Sequence, residues 1–317
     1  IFFLVAGLEL KREVMVGELS NFKKASMPIF AALGGMLVPA LLFFLFNLNM
    51  PTAKGWGIPM ATDIAFALGI MTLAARSAPP GLVVFLTALA IVDDLGAIVV
   101  IALFYSTDLA WMALASGLAA LAGAFLLNRL KIRFFPVYLA LGLVAWYFFL
   151  KAGIHPTIAG VILGFSIPAE GNCKVSMLHQ WEKRLHPWSA YLIMPVFALS
   201  NAGVEISLAS LDFTSPLPWG ILAGLFLGKP VGIFGSVYLL HKIGHIDIPG
   251  KASPRELAAT GMLGGIGFTM SIFIASIAFT DPGLLNLAKF SILLASTISA
   301  AAGTLVFLIS GSKGKET

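Results

Sequence analysis

Cysteine is nearly missing from this sequence: Cys173 is the single one in 317 residues, so no intrachain disulfide forms and no thiolate cluster can hold a metal. Charge is scarce as well. Asp, Glu, Lys and Arg make up 11% of the chain, too little to give a soluble globule of this length a polar surface. The five histidines are His155, His179, His186, His241 and His245, and no pair has the spacing and apolar context of a zinc motif. A net charge of +5 raises the idea of nucleic acid, but no basic face interleaved with aromatics exists, so no nucleic-acid partner is expected. The opening segment IFFLVAGLEL is not expected to be a signal peptide, with no charged region preceding it in the sequence. It reads as the second half of a helix, so the chain is expected to be N-terminally truncated, lacking a first helix and the start of a second.

What is present in excess is apolar sequence: 59% hydrophobic residues and a mean hydropathy of +0.95. These define an all-α polytopic membrane protein, read as a single transmembrane domain over 1–317. Eleven spans are expected, at 1–10, 27–46, 51–75, 85–104, 109–127, 135–150, 154–167, 177–201, 219–240, 256–279 and 285–309. The fourth, FLTALAIVDDLGAIVVIALF, carries Asp93 and Asp94 side by side at its centre. A carboxylate at bilayer depth costs at least ~2.5 kcal/mol, so two together point to a cation or proton site rather than to packing. Neighbours on a helix point about 100° apart, which lets the two acids address different partners.

Numbering the loops alternately tests the topology. If the loop after residue 10 is cytoplasmic, its side holds Lys11, Arg12, Lys23, Lys24, Arg76, Arg129, Lys131, Arg133, Lys174, Lys183, Arg184, Lys242, Lys251, Arg255, Lys313 and Lys315. The opposite side has only Lys54 and Lys151, with Asp108, Glu205, Asp212 and Asp281. This positive-inside bias puts the C-terminus in the cytoplasm.

Two spans are punctuated midway. Residues 51–75 contain Gly55, Gly57, Pro59, Thr62, Asp63 and Gly69, and 256–279 contain GMLGGIGFTMS. Each is the middle of three consecutive spans, and the two triplets start on opposite sides. That layout is an inverted repeat, with two broken helices crossing near the midplane and half-helix ends facing an ion or substrate.

Four ionisable groups lie well inside spans: Asp63, Asp93, Asp94 and Lys229, the last in GLFLGKPVGIF. Three carboxyls against one ammonium cannot stay buried without taking up protons or a cation. Asp63, after Thr62, can cap a half-helix or ligate directly. Lys229 can neutralise an aspartate or the carbonyl ends of half-helices. His155, in AGIHPTIAG, reads as a turn or interface residue.

The strings VAGLELKRE, PMATDIAFALG, LTALAIVDDLGAIVVIALFY, GIHPTIAGVILGF, LHPWSAYLIMPVFALSNAGV, GLFLGKPVGI and GGIGFTMSIFIASIAF closely resemble the NhaA-type sodium/proton antiporters, along essentially the whole chain. The resemblance implies a twelve-helix bundle with an NhaA-like inverted-repeat core of two broken, crossing helices. It implies a secondary transporter, not an enzyme, of the bacterial inner membrane, exchanging sodium or lithium for protons without a cofactor, with lipid and a second copy of the chain as partners. It places the cation-binding pair, and so the sodium ligands, on Asp94 and Asp93, the helix-break pair on Thr62 and Asp63, and the membrane lysine on Lys229. It assigns pH response to Glu9, Arg12, Glu13, Glu182 and His186. Lys183 stands where some members carry a further histidine.

The charges alone suggest exchange: a dehydrated sodium ion and protons compete for the same oxygens, and only a loaded site reorients. An intramembrane aspartyl protease using Asp63 and Asp94 leaves Asp93 and Lys229 without a role. A sodium-coupled symporter of an organic anion shares the crossed-helix layout, and a channel would pass current far faster.

Overall fold

The computed structural model describes residues 1–74, 78–106, 109–169, 176–201, 203, 213–244 and 247–313. Arg76, Asp108, Cys173, Lys174, Glu205, Asp212, His245 and Lys315 lie outside the described residues. Helices in chain order are α1 (Phe2–Met15), α2 (Phe22–Phe46), α3 (Ile64–Ala74), α4 (Pro80–Phe104), α5 (Trp111–Arg129), α6 (Phe135–Lys151) and α7 (Thr157–Ser166). They continue with α8 (Met177–Trp188), α9 (Met194–Asn201), α10 (Pro216–Leu222), α11 (Lys229–Gly244), α12 (Pro254–Gly264), α13 (Phe268–Ala278) and α14 (Pro282–Lys313). A 3₁₀ helix, Pro51–Met60, precedes α3; π-wound stretches join α8 to α9 and α10 to α11. No strand occurs among the described residues.

Among the described residues, five helices are long and apolar enough to cross a membrane: Lys24–Phe46, Pro80–Phe104, Trp111–Arg129, Pro216–Gly244 and Pro282–Ser310. Two bent pairs, Pro51–Met60 with Ile64–Leu73 (44°) and Pro254–Gly264 with Phe268–Ala278 (43°), bring the number to seven. These bends fall where glycine and proline punctuate the sequence. The span expected from residue 85 begins instead at Pro80, because proline fits the first helical position, where its missing N–H costs nothing. The first half of the first broken span is 3₁₀ rather than α, with Pro59 inside it.

The chain forms two compact units. One comprises Ile1–Ser20 and Ile98–Ala198. In it α1 packs on α7 and α8, and α5 pairs with α6. Gly7 and Gly164 allow the α1–α7 approach: a side-chain carbon at Gly164 would stand 2.7 Å from the Gly7 carbonyl carbon. Lys11 Nζ reaches across to Phe165 O (2.8 Å) and Ile167 O (2.5 Å), closing the carbonyl end of α7. Phe135 and Trp181 stack at 3.5 Å beside this core.

The other unit, Asn21–Ala97 and Leu199–Thr317, contains nearly all of both triplets. Their first helices, α2 and α11, cross closely, since a carbon at Gly232 would lie 2.1 Å from Gly34 O. The broken spans also meet. The 3₁₀ segment packs on α13, and α3 on α12. Asp63 N–H donates to Ile266 O at 2.6 Å, and Ser271 Oγ donates to Ile58 O at 2.8 Å, so backbone freed at each break is satisfied by the other.

Candidate functional site

At the crossing, the first break (61–63) leaves helical geometry at Ala61 (φ −82°, ψ 147°), and α3 restarts at Ile64. Asp63 is 1% exposed, and its carboxylate serves two helix starts. Oδ1 accepts from Phe66 N–H (3.2 Å), capping α3. Oδ2 accepts from Thr269 N–H (3.1 Å) and from the Thr269 hydroxyl, in the first turn of α13. Both N-terminal ends carry partial positive charge, which an anion offsets.

Lys229, the first residue of α11, is fully buried. Its ammonium forms an ion pair with Asp93 Oδ2 and donates to Thr62 Oγ1 at 2.8 Å. Thr62 Oγ1 in turn donates to Gly264 O at 2.8 Å. The hydroxyl thus passes the ammonium's polarity on to the carbonyl end of α12, where the helix dipole is negative. Asp93 is 0% exposed, its Oδ1 buried without a hydrogen-bond partner among the described residues; Asp94 is 7% exposed and within electrostatic reach of Lys229. The geometry therefore joins Thr62, Asp63, Asp93, Asp94 and Lys229 in one unit, with a firmly bonded part around Thr62 and Lys229 and an incompletely bonded carboxyl at Asp93.

Thr269 was not singled out in the sequence. Its signal was its place: it follows the glycines of the second break as Thr62 and Asp63 follow the proline and glycines of the first. Ser296, which accepts from Phe268 N–H at 3.1 Å and so caps α13, carried no signal beyond sitting on an apolar helix.

The residues to which the resemblance assigns pH response lie together in the other unit. Arg12 Nη1 pairs with Glu182 Oε1 (2.7 Å) and Arg12 Nη2 with Glu13 Oε1 (3.0 Å), while His186 Nδ1 is 3.0 Å from Glu9 Oε1. Glu182 is buried, its Oε2 without a hydrogen-bond partner among the described residues. Burial raises its carboxyl above the ordinary range and Glu9 pushes the same way, while Arg12, His179 and His186 oppose the shift.

A helical membrane protein in which two broken spans cross at a buried set of three carboxyls and one ammonium has the architecture of an inverted-repeat carrier. Residues 1–307 match the family described as Na+/H+ antiporter 1. The Na(+)/H(+) antiporter NhaA 1 of Clostridium beijerinckii is 50% identical over 321 residues, covering 100% of this chain and 80% of that protein. NhaA 1 of Klebsiella pneumoniae is 49% identical over 310 residues (96% of this chain, 78% of that one), and NhaA of Salmonella typhimurium 50% over 309 (96% and 79%). The chain belongs to the Na+/H+ antiporter 1 family.

Proposed function

We propose that this protein is a secondary antiporter of the bacterial inner membrane. It exchanges cytoplasmic sodium, or lithium, for external protons, electrogenically and under pH control, serving sodium and pH homeostasis. It acts as one transporter domain, a homodimer in lipid with its C-terminus in the cytoplasm. The observation that carries this reading is the buried pair Asp93 and Asp94 beside the crossed breaks, with one ammonium for two carboxyls.

Sodium is the substrate and needs oxygens to replace its water. Asp94 offers a carboxylate, and Asp93 offers Oδ1 beside the Oδ2 that pairs with Lys229. For sodium to take both acids, the Lys229 ammonium must give up Asp93, leaving it on Thr62 Oγ1. When sodium leaves, protons or the ammonium restore the balance, since uncompensated carboxylates in a dry site are too costly to move. Two protons for one sodium would transfer net charge, to which the membrane potential contributes roughly 2.3 kcal/mol per charge per 100 mV. Asp63 and Thr62 hold the half-helix ends in place and charge-matched. The Arg12, Glu13, Glu182, Glu9 and His186 group biases the carrier between closed and open arrangements as it titrates.

The test is sodium-induced proton movement in proteoliposomes of the protein, followed with a pH-sensitive dye, with lithium and potassium alongside. Sodium-dependent alkalinisation or acidification that follows the imposed gradient supports exchange; its absence in correctly inserted protein ends the proposal.

A further inference from the structure

Met36 of α2 packs its side chain onto the span that carries the acid pair. A side-chain carbon at Gly96 would stand 2.3 Å from Met36 Sδ and 2.7 Å from its Cε, so the tip of the thioether lies directly on the glycine backbone. Gly96 comes one turn after Asp93 on α4. It is about 60° around the helix from Asp93 and about 160° from Asp94, so the methionine covers the flank of Asp93 that faces away from its neighbour. Met36 is buried, and α11 fixes the backbone from which it projects. A carbon at Gly34 would stand 2.4 Å from Gly232 O, and one at Gly35 2.9 Å from Ile233 Cγ1 and 3.8 Å from Lys229 Cδ. The two residues before Met36 therefore lean on the helix whose Lys229 pairs with Asp93.

We propose that Met36 is a specificity-determining positioning residue: packed against Gly96, it limits how far the Asp93 carboxyl can swing away from Asp94, and so caps the size of cation that the pair accepts. The inference rests on the reading of Asp93 and Asp94 as the cation pair. Two carboxyls close on a cation to the separation that its radius demands, and potassium needs Asp93 to give way farther than sodium or lithium does. Lys229 does not set this limit, because its ammonium has to leave Asp93 when the cation arrives. The thioether can set it. Its chain is unbranched and adjustable at the tip, yet it is rooted on a backbone held by α11, so it yields a little and then resists. Its contact is apolar, so removing it changes neither the number nor the charge of the cation's ligands, only the room available to one of them.

Cation titrations in proteoliposomes test this for the parent, Met36→Ala, Met36→Val and Met36→Leu. Lithium and sodium are read by the proton movement they drive, and potassium both by its own proton movement and by its competition with sodium. In Met36→Ala the apparent affinity for potassium relative to sodium should rise about tenfold, while the lithium-to-sodium ratio stays within about twofold of the parent, because the smaller ion never reaches the limit. Met36→Val removes less volume and should shift the potassium ratio the same way by less; it decides the matter if Met36→Ala fails to insert. Met36→Leu, close to methionine in volume, should keep the parent ratios. A purely structural role would lower the maximal rate or the yield of folded protein and leave ratios between cations alone. Parent ratios in Met36→Ala and Met36→Val overturn the proposal, as does a Met36→Leu variant that shifts them as far as Met36→Ala. A parent that takes potassium as readily as sodium overturns it too. Failure of the underlying reading is separately visible: the parent then moves no protons with sodium, and the inference falls with it.

Discussion

The ion pair between Lys229 and Asp93 makes a quantitative prediction about stability that does not depend on transport. Both residues are fully buried, and the ammonium has two partners, Asp93 Oδ2 and Thr62 Oγ1. Lys229→Met strands a carboxylate whose Oδ1 already lacks a partner, so the variant should lose about 3–5 kcal/mol, the usual cost of breaking a buried pair from one side. Asp93→Leu strands the ammonium less severely. It keeps Thr62 and has Asp94 within electrostatic reach, so the loss should be about 1–3 kcal/mol. The double variant Asp93→Leu, Lys229→Met strands neither charge. Thr62 retains its bond to Gly264 O, so no new orphan hydroxyl arises. Its stability should lie within about 2 kcal/mol of the parent, giving a coupling of several kcal/mol instead of additive losses. Unfolding of the four proteins in mixed micelles with increasing SDS, at constant pH and salt, measures this cycle. Additive losses would refute the reasoning, as would a double variant less stable than Lys229→Met, because both would mean that the residues do not compensate one another.

Asp94→Asn should insert normally and lose sodium-driven proton flux, because the amide keeps the shape without the charge; flux within twofold of the parent in proteoliposomes would remove Asp94 from the site. Thr269→Val, which deletes the hydroxyl bond to Asp63, should cost about 1.5–3 kcal/mol, and Thr269→Ser should restore most of it, as read by the same SDS titration. For Glu182, burial favours the protonated carboxyl in the fold, so folded protein binds more protons than unfolded above the ordinary carboxylate range. Stability should therefore fall as pH rises through that window, and Glu182→Gln should flatten the fall; thermal midpoints taken between about pH 4 and 8 decide it, and equal slopes for parent and variant would count against the assignment. If the same group also controls transport, Glu182→Gln or His186→Ala should move the activity midpoint at saturating sodium with little change in maximal rate.

Among the described residues, seven of the eleven expected spans and the two breaks were legible in the sequence because their causes are local. Apolar length marks a span, and Gly55, Gly57, Pro59, Gly264, Gly265 and Gly267 interrupt one. The four buried charges were legible because hydrocarbon makes any ionisable residue conspicuous. Their pairing was not. Asp63 with Thr269 and Lys229 with Asp93 join residues more than a hundred positions apart, and a helix that is apolar on both its protein and lipid faces has no amphipathic stripe to say which side is buried. Only resemblance pointed to Arg12 with Glu182, since a charged helix end normally reads as solvated. The π winding before Lys229 left no mark except Pro230, whose missing N–H is compatible with several local geometries.

One carboxylate at the crossing has two dependants. Asp63 caps its own helix, α3, and also the start of α13, whose own N-terminal residue, Gly267, has no side chain to offer. The two triplets mirror each other in layout but not in electrostatics: one lends its charge and the other borrows it. A substitution confined to the first triplet is therefore felt by the second, and neither break can tilt far without stretching a bond that belongs to both. The pair of bent spans should consequently answer to perturbation as one mechanical part, with Asp63 as its pivot.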